Sequence, residues 1–253
     1  MPVWAQAGLW GLLSGGTLLV GSAIAWWVRV PRLVIAGVMA FGAGVLISAL
    51  AFDLVDEAET TGGLGAALGG LALGATAYVA ANLVLNARGA RHRKRSGTES
   101  GSAQPSEDEQ SGSGTAIAVG ALLDGIPEST VLGLSLTSGH GVGVAVLAAI
   151  VISNIPEGLS SSAGMKASGR SARYVFGVWG AIAVASGIAA LLGYLLLDGA
   201  SPELVATITA VAAGAILAMV ADTMVPEAFE KTHVFNGAIC TAGFITAFAI
   251  SRS

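Results

Sequence analysis

The chain has 253 residues, 54% of them hydrophobic and only 11% charged, with a mean hydropathy of +0.75. A soluble globular domain carries about 25% charged residues, so this composition excludes an ordinary soluble fold and indicates a polytopic membrane protein. The lone cysteine, Cys240, excludes a disulfide framework and a thiolate metal site; the net charge of −4 says little about partners, and no nucleic-acid partner is expected.

Apolar segments of roughly 20 residues, enough to cross a bilayer, fall at 4–28, 33–55, 64–87, 115–137, 141–165, 174–197, 203–225 and 234–251. The expectation is an all-α bundle of eight transmembrane helices, rich in the small residues that let helices approach closely in lipid. The first apolar stretch begins almost at Met1 and is long enough to span, so no cleavable signal peptide is expected. Turn signals mark the joins: Arg29-Val30-Pro31-Arg32, Thr61-Gly62-Gly63, Ser138-Gly139-His140-Gly141, Gly169-Arg170-Ser171 and Ser201-Pro202. Of the 12 basic residues, Arg29, Arg32, Arg88, Arg91, Arg93, Lys94, Arg95, Lys166, Arg170, Arg173 and Lys231 fall in alternate joins, leaving Arg252 at the C-terminus. Basic joins face the cytoplasm, which places both termini outside a cytoplasmic membrane.

The chain then divides into spans 1–3 over 1–87, a loop over 88–114, spans 4–5 over 115–165 and spans 6–8 over 174–251. The loop has a basic start followed by Ser/Gly/Gln/Glu-rich sequence with Pro105 and Glu107-Asp108-Glu109. It holds too little apolar surface to offset its ordering entropy, so it is expected to be disordered. His92 is its one histidine, which does not make it a histidine-rich metal buffer. Sliding the chain by 170 residues aligns Ala40, Ala43, Gly44, Ala51, Val55, Glu57 and Ala58 with Ala210, Ala213, Gly214, Ala221, Val225, Glu227 and Ala228. Spans 2 and 7 would run in opposite directions, the mark of an inverted repeat. The expected arrangement is 3+2+3, with spans 4 and 5 between the two units.

Asp53, Asp124, Glu128, Glu157 and Asp222 lie within or at the edge of spans, and no Lys or Arg is expected inside a span to neutralise them. Carboxylates in a low-dielectric interior take up protons or hold a cation. Asp124 and Glu128 are i, i+4, as are Ser153 and Glu157, so each pair shares a helix face. Pro127 and Pro156 free the carbonyls of Leu123 and Ile152 one turn earlier, and the Asn154 amide adds another oxygen. The plainer alternative is that each proline only kinks its helix around a protonated acid; the duplication favours a metal site. Asp53, toward the outside, and Asp222, toward the cytoplasm, are either solvated vestibule residues or entrance and exit ligands. His140 and His233 are expected to be solvated, and Cys240, Met165 and Met219 to be packing residues.

At these residues the chain resembles the ZIP family of divalent-metal transporters, especially its bacterial members. The resemblance rests on Asp124-Gly-Ile-Pro-Glu128-Ser129 in span 4, Ser153-Asn154-Ile-Pro-Glu157-Gly158 in span 5 and Phe41-Gly-Ala-Gly-Val-Leu-Ile in span 2. It covers nearly the whole chain and implies a metal site midway through the membrane, with Glu128, Glu157 and Asn154 matching family positions directly. The chain departs from the family pattern at Asp124 and Ser153, which replace histidines, and at Gly125, which replaces an asparagine. Leu46 stands where a methionine is common. Ser186, where many members carry a further glutamate, would lie behind the ligands. Oxygen donors suit Mg, Ca and Mn better than imidazole does, so the resemblance, taken with these departures, implies Mn²⁺ or Fe²⁺ beside Zn²⁺ as transported ions.

The reading is therefore a transporter and not an enzyme, with a divalent metal as substrate and no organic cofactor. The Gly/Ala-rich spans 3 and 8 are candidates for packing within the protomer or for a homodimer face. The competing readings are a transport-inactive metal sensor and an intramembrane hydrolase using Asp124 and Asp222. The hydrolase has little support, because His-Glu-x-x-His and Gly-x-Ser-x-Gly are both absent.

Overall fold

A computed structural model describes residues 1–90, 93, 104, 106, 109, 112–137 and 143–252. His92, Lys94, Arg95, Pro105, Glu107, Asp108 and His140 lie outside these residues. Helix accounts for 90% of what is described, with no strand. The helices are α1 (Val3–Trp27), α2 (Arg32–Ala49), α3 (Val55–Leu85), α4 (Ser113–Ser135), α5 (Val144–Ala167), α6 (Ala172–Leu197), α7 (Pro202–Met219), α8 (Val225–Thr232) and α9 (Asn236–Ser251). Short π-helical turns join α2 to α3 (Leu50–Leu54) and α7 to α8 (Val220–Met224).

Among the described residues, six helical stretches are long and apolar enough to cross a membrane: Val3–Trp27, Arg32–Arg88, Ser113–Ser135, Val144–Ala167, Ala172–Leu197 and Pro202–Ser251. Large apolar side chains stand exposed along α1, α3 and α6, among them Leu12, Leu64, Leu83 and Leu196. Water would penalise so continuous an apolar surface, and lipid would not. The all-helical membrane-type fold expected from composition is thus borne out.

Two of the six stretches are interrupted. At 57 residues, Arg32–Arg88 would reach about 85 Å if straight, far beyond a hydrocarbon core of about 30 Å. It breaks at Gly63, whose φ of 78° and ψ of 168° suit a residue without Cβ. Pro202–Ser251 breaks at His233, with φ 45° and ψ −122°. These breaks lie 170 residues apart, as do the starts of α2 and α7 and the two π turns. Both α2 and α7 have 18 residues. The offset that aligned scattered alanines in the sequence therefore also aligns backbone features.

Packing follows the same relation. Helix α2 lies along α9, and α7 along the part of α3 after Gly63. In the first pair a Cβ on Gly44 would run into the Cys240 carbonyl; in the second, one on Gly214 would run into that of Leu71. Gly44 and Gly214 are themselves 170 residues apart. Helix α1 packs on α5 and α6, α4 packs on α6 and α7, and α4 and α5 make little direct contact. Because backbone opposes backbone at Gly44, Gly44→Leu cannot be absorbed by a side-chain shift. We expect it to lower the thermal midpoint by more than Gly37→Leu on the same helix, where a Cβ meets nothing, overpacking costing about 1–3 kcal/mol or more. Equal midpoints in a detergent melt would contradict the close contact.

Candidate intramembrane carboxylate site

Helices α4 and α5 carry the site. Pro127 and Pro156 sit inside them without ending either helix, as buried helices with tertiary support allow. Asp124 and Glu128 on α4, and Ser153, Asn154 and Glu157 on α5, are each no more than 5% exposed. Burial of three carboxylates in a bundle this apolar is expensive unless each is compensated.

For Asp124 the compensation is visible, and it corrects the expectation that these acids lack a basic partner. The Arg93 guanidinium donates to both carboxylate oxygens, from Nε to Oδ2 at 3.0 Å and from Nη2 to Oδ1 at 2.9 Å. Tyr78 donates its hydroxyl to Oδ1 at 2.7 Å. Arg93 also donates to the Tyr78 oxygen at 2.7 Å and to Asn82 Oδ1 at 2.8 Å. Glu157 on α5 is near enough for its charge to act on both Arg93 and Tyr78.

Arg93 does not belong to a span. It lies in the segment between α3 and α4, is 2% exposed, and is fastened by its main chain to α5. Its carbonyl accepts from Ser161 Oγ and from Gln104 Nε2, both at 2.8 Å. Gln104 donates as well to the Ser161 carbonyl at 3.0 Å. Farther along, Ser106 and Glu109 exchange main-chain and side-chain bonds in the manner of a capping box. Tyr78 and Asn82 stand i, i+4 on an apolar stretch of α3, a polar pair legible in the sequence but missed. Nothing in the basic run Arg88 to Arg95 distinguishes Arg93 from its neighbours.

The neutral candidates are engaged elsewhere in part. Ser153 donates its hydroxyl to the Ile150 carbonyl at 3.0 Å, and the Asn154 amide donates to the Ser14 carbonyl of α1 at 2.9 Å. Ser186 on α6 is buried beside Gly15 and Gly125. Asp53 and Asp222 sit in the two π turns and form equivalent contacts. Asp53 accepts from Ser251 Oγ at 2.7 Å near the end of α9, and Asp222 accepts from Asn82 Nδ2 at 3.4 Å near the end of α3. Glu227, between expected spans 7 and 8, is buried and accepts from Ser160 Oγ at 3.3 Å. Helix α8 turns it back against α5.

On one side of the site lies a cavity of about 550 Å³ lined by Asp53, Asp56, Glu57, Thr60, Ser135 and Thr209. Between it and the buried acids, Leu46, Leu50, Val131, Val146, Ile150 and Ile216 close around a void of about 10 Å³. Among the described residues, no three His, Cys, Asp or Glu side chains form a ready-made metal cage; the Asp124 oxygens are turned to Arg93. No family model matches the sequence, and no curated protein matches it.

Proposed function

We propose that the protein moves divalent metal ions, Mn²⁺, Fe²⁺ or Zn²⁺, across the cytoplasmic membrane into the cytosol through the carboxylate site on α4 and α5. The observation that carries this reading is the burial of Asp124, Glu128 and Glu157 in two proline-bearing helices of an apolar bundle. An intramembrane ionisable group is a functional site by default, and carboxylate oxygens attract hard or borderline dications. The resemblance of these two motifs to those of ZIP transporters supports the same substrate class.

The breaks at Gly63 and His233 support eight crossings, and the 170-residue correspondence of helix starts, π turns and breaks supports an inverted repeat around α4 and α5. Asp53–Ser251 and Asp222–Asn82 then lie toward opposite faces, at the two ends of the path. Alternating access would open one end at a time by rocking one bundle against the other.

Purified protein in proteoliposomes tests the reading: saturable uptake of one of the three ions is expected, and its absence would refute transport. The engagement of Asp124 by Arg93 favours one second reading, a metal sensor without transport, which would bind ions in micelles yet pass none. Ligand softness makes a separate prediction. Asp124→His restores an imidazole and should shift competition among Zn²⁺, Mn²⁺ and Fe²⁺ toward Zn²⁺, about tenfold for each 1.4 kcal/mol gained. An unchanged preference would remove Asp124 as the determinant.

A further inference from the structure

Both oxygens of Asp124 are taken by Arg93, and one also by Tyr78. A metal ion at Asp124 would compete with that fork for the carboxylate oxygens, and a guanidinium and a dication would repel each other at one carboxylate. A helix-borne arginine would be fixed there as a permanent counter-ion. Arg93 instead extends from the segment joining α3 to α4, and hydrogen bonds from Ser161 and Gln104 fasten its main chain to α5. Exchange at Asp124 would then need the side chain alone to turn away, the main chain staying tied to α5. Asn82, which accepts from Arg93, also donates to Asp222, so the same contacts reach the far π turn.

We propose that Arg93 is a tethered competitor of the transported cation: Asp124 is held either by the Arg93 guanidinium or by the metal ion, and loading exchanges one for the other. The exchange keeps a positive charge on a buried carboxylate in both states, avoiding the large penalty of leaving it alone. It also makes Arg93 a determinant of apparent affinity, because a site mostly held in a non-binding state binds more weakly by the fraction that is free. The proposal rests on the metal-transport reading above.

The test is Mn²⁺ binding to the full chain in detergent micelles, followed by loss of the free-ion spin-resonance signal. If Arg93 holds Asp124 about nine-tenths of the time, Arg93→Gln should tighten Mn²⁺ binding about tenfold. Ser161→Ala, which frees the Arg93 carbonyl but leaves the guanidinium intact, should tighten it less. Asp124→Asn should weaken binding more in the Arg93→Gln background than in the wild type, because only there is Asp124 wholly available. Equal weakening in both backgrounds, or an unchanged or weaker affinity in Arg93→Gln, would overturn the competition and leave the metal site standing. If Asp124→Asn, Glu128→Gln and Glu157→Gln all bind like the wild type, the site reading itself fails and the proposal with it. Should Arg93→Gln not give monodisperse protein, Arg93→Lys and Ser161→Ala decide: tighter binding in either supports the exchange, and wild-type affinity in both refutes it.

Discussion

Proteoliposomes carrying Glu157→Gln should take up Mn²⁺, Fe²⁺ or Zn²⁺ at least about a hundredfold more slowly than the wild type, and Glu128→Gln should do the same. A hundredfold corresponds to about 2.7 kcal/mol, the size of losing one strong polar contact to a charged group, about 1.5–3 kcal/mol. Glutamine keeps the volume and hydrogen-bonding shape of glutamate, so the buried α4 and α5 faces should hold, and the loss would be one of charge. The control is Glu57→Gln. Glu57 is exposed in the acidic cavity, where water screens it, and its removal should change uptake by no more than about twofold, as for other exposed charges. Near-wild-type uptake in both site variants would refute a path through these carboxylates. A loss in Glu57→Gln equal to theirs would move the selective step outward to the cavity.

The parts of this molecule legible in its sequence are those set by local chemistry. Runs of apolar residues announced the helices, and Thr61-Gly62-Gly63 announced the break that the backbone makes at Gly63. The Pro-Glu pairs announced buried acids, because the apolar residues on either side of each pair draw it into the bundle with them. The gap between spans 7 and 8 announced a join at 226–233, but not that His233 would make its break, because a positive φ is uncommon outside glycine. The π turns at Leu50–Leu54 and Val220–Met224 left no compositional trace; only their spacing marks them. Arg93 was missed for a physical reason. Sorting charges by topology assigns each residue to the surroundings of its sequence neighbours, whereas a long side chain on a connecting segment can turn back into the bundle and seek the carboxylate there. Glu227 is likewise drawn in, since a short helix returns it to α5.

The apolar constriction supplies the other large effect. Val131 lies three residues beyond Glu128 on α4, and Ile150 three before Ser153 on α5, so both stand between the acidic cavity and the buried site. The void they leave, about 10 Å³, is at the lower limit for a single water, and its apolar lining offers none of the polar partners a water needs. Ions and reagents in the cavity should therefore not reach the carboxylates while it is closed. Ser153 is fully buried just past it and is a natural reporter. In a Cys240→Ser background, Ser153→Cys should react slowly with a membrane-impermeant thiol reagent added on the cavity side. Adding Val131→Ala and Ile150→Ala opens a gap that helix backbones refill only in part, and labelling should accelerate at least about tenfold, equivalent to about 1.4 kcal/mol off the barrier. The truncations will also lower stability, by about 2–5 kcal/mol for the isoleucine alone, so labelling has to be compared well below the melting midpoint of each variant. Acceleration there would mean that these two side chains bar the way from the cavity to the site. Unchanged labelling would mean that the acidic cavity and the buried carboxylates do not share a path, and that ions approach Glu128 and Glu157 by another route.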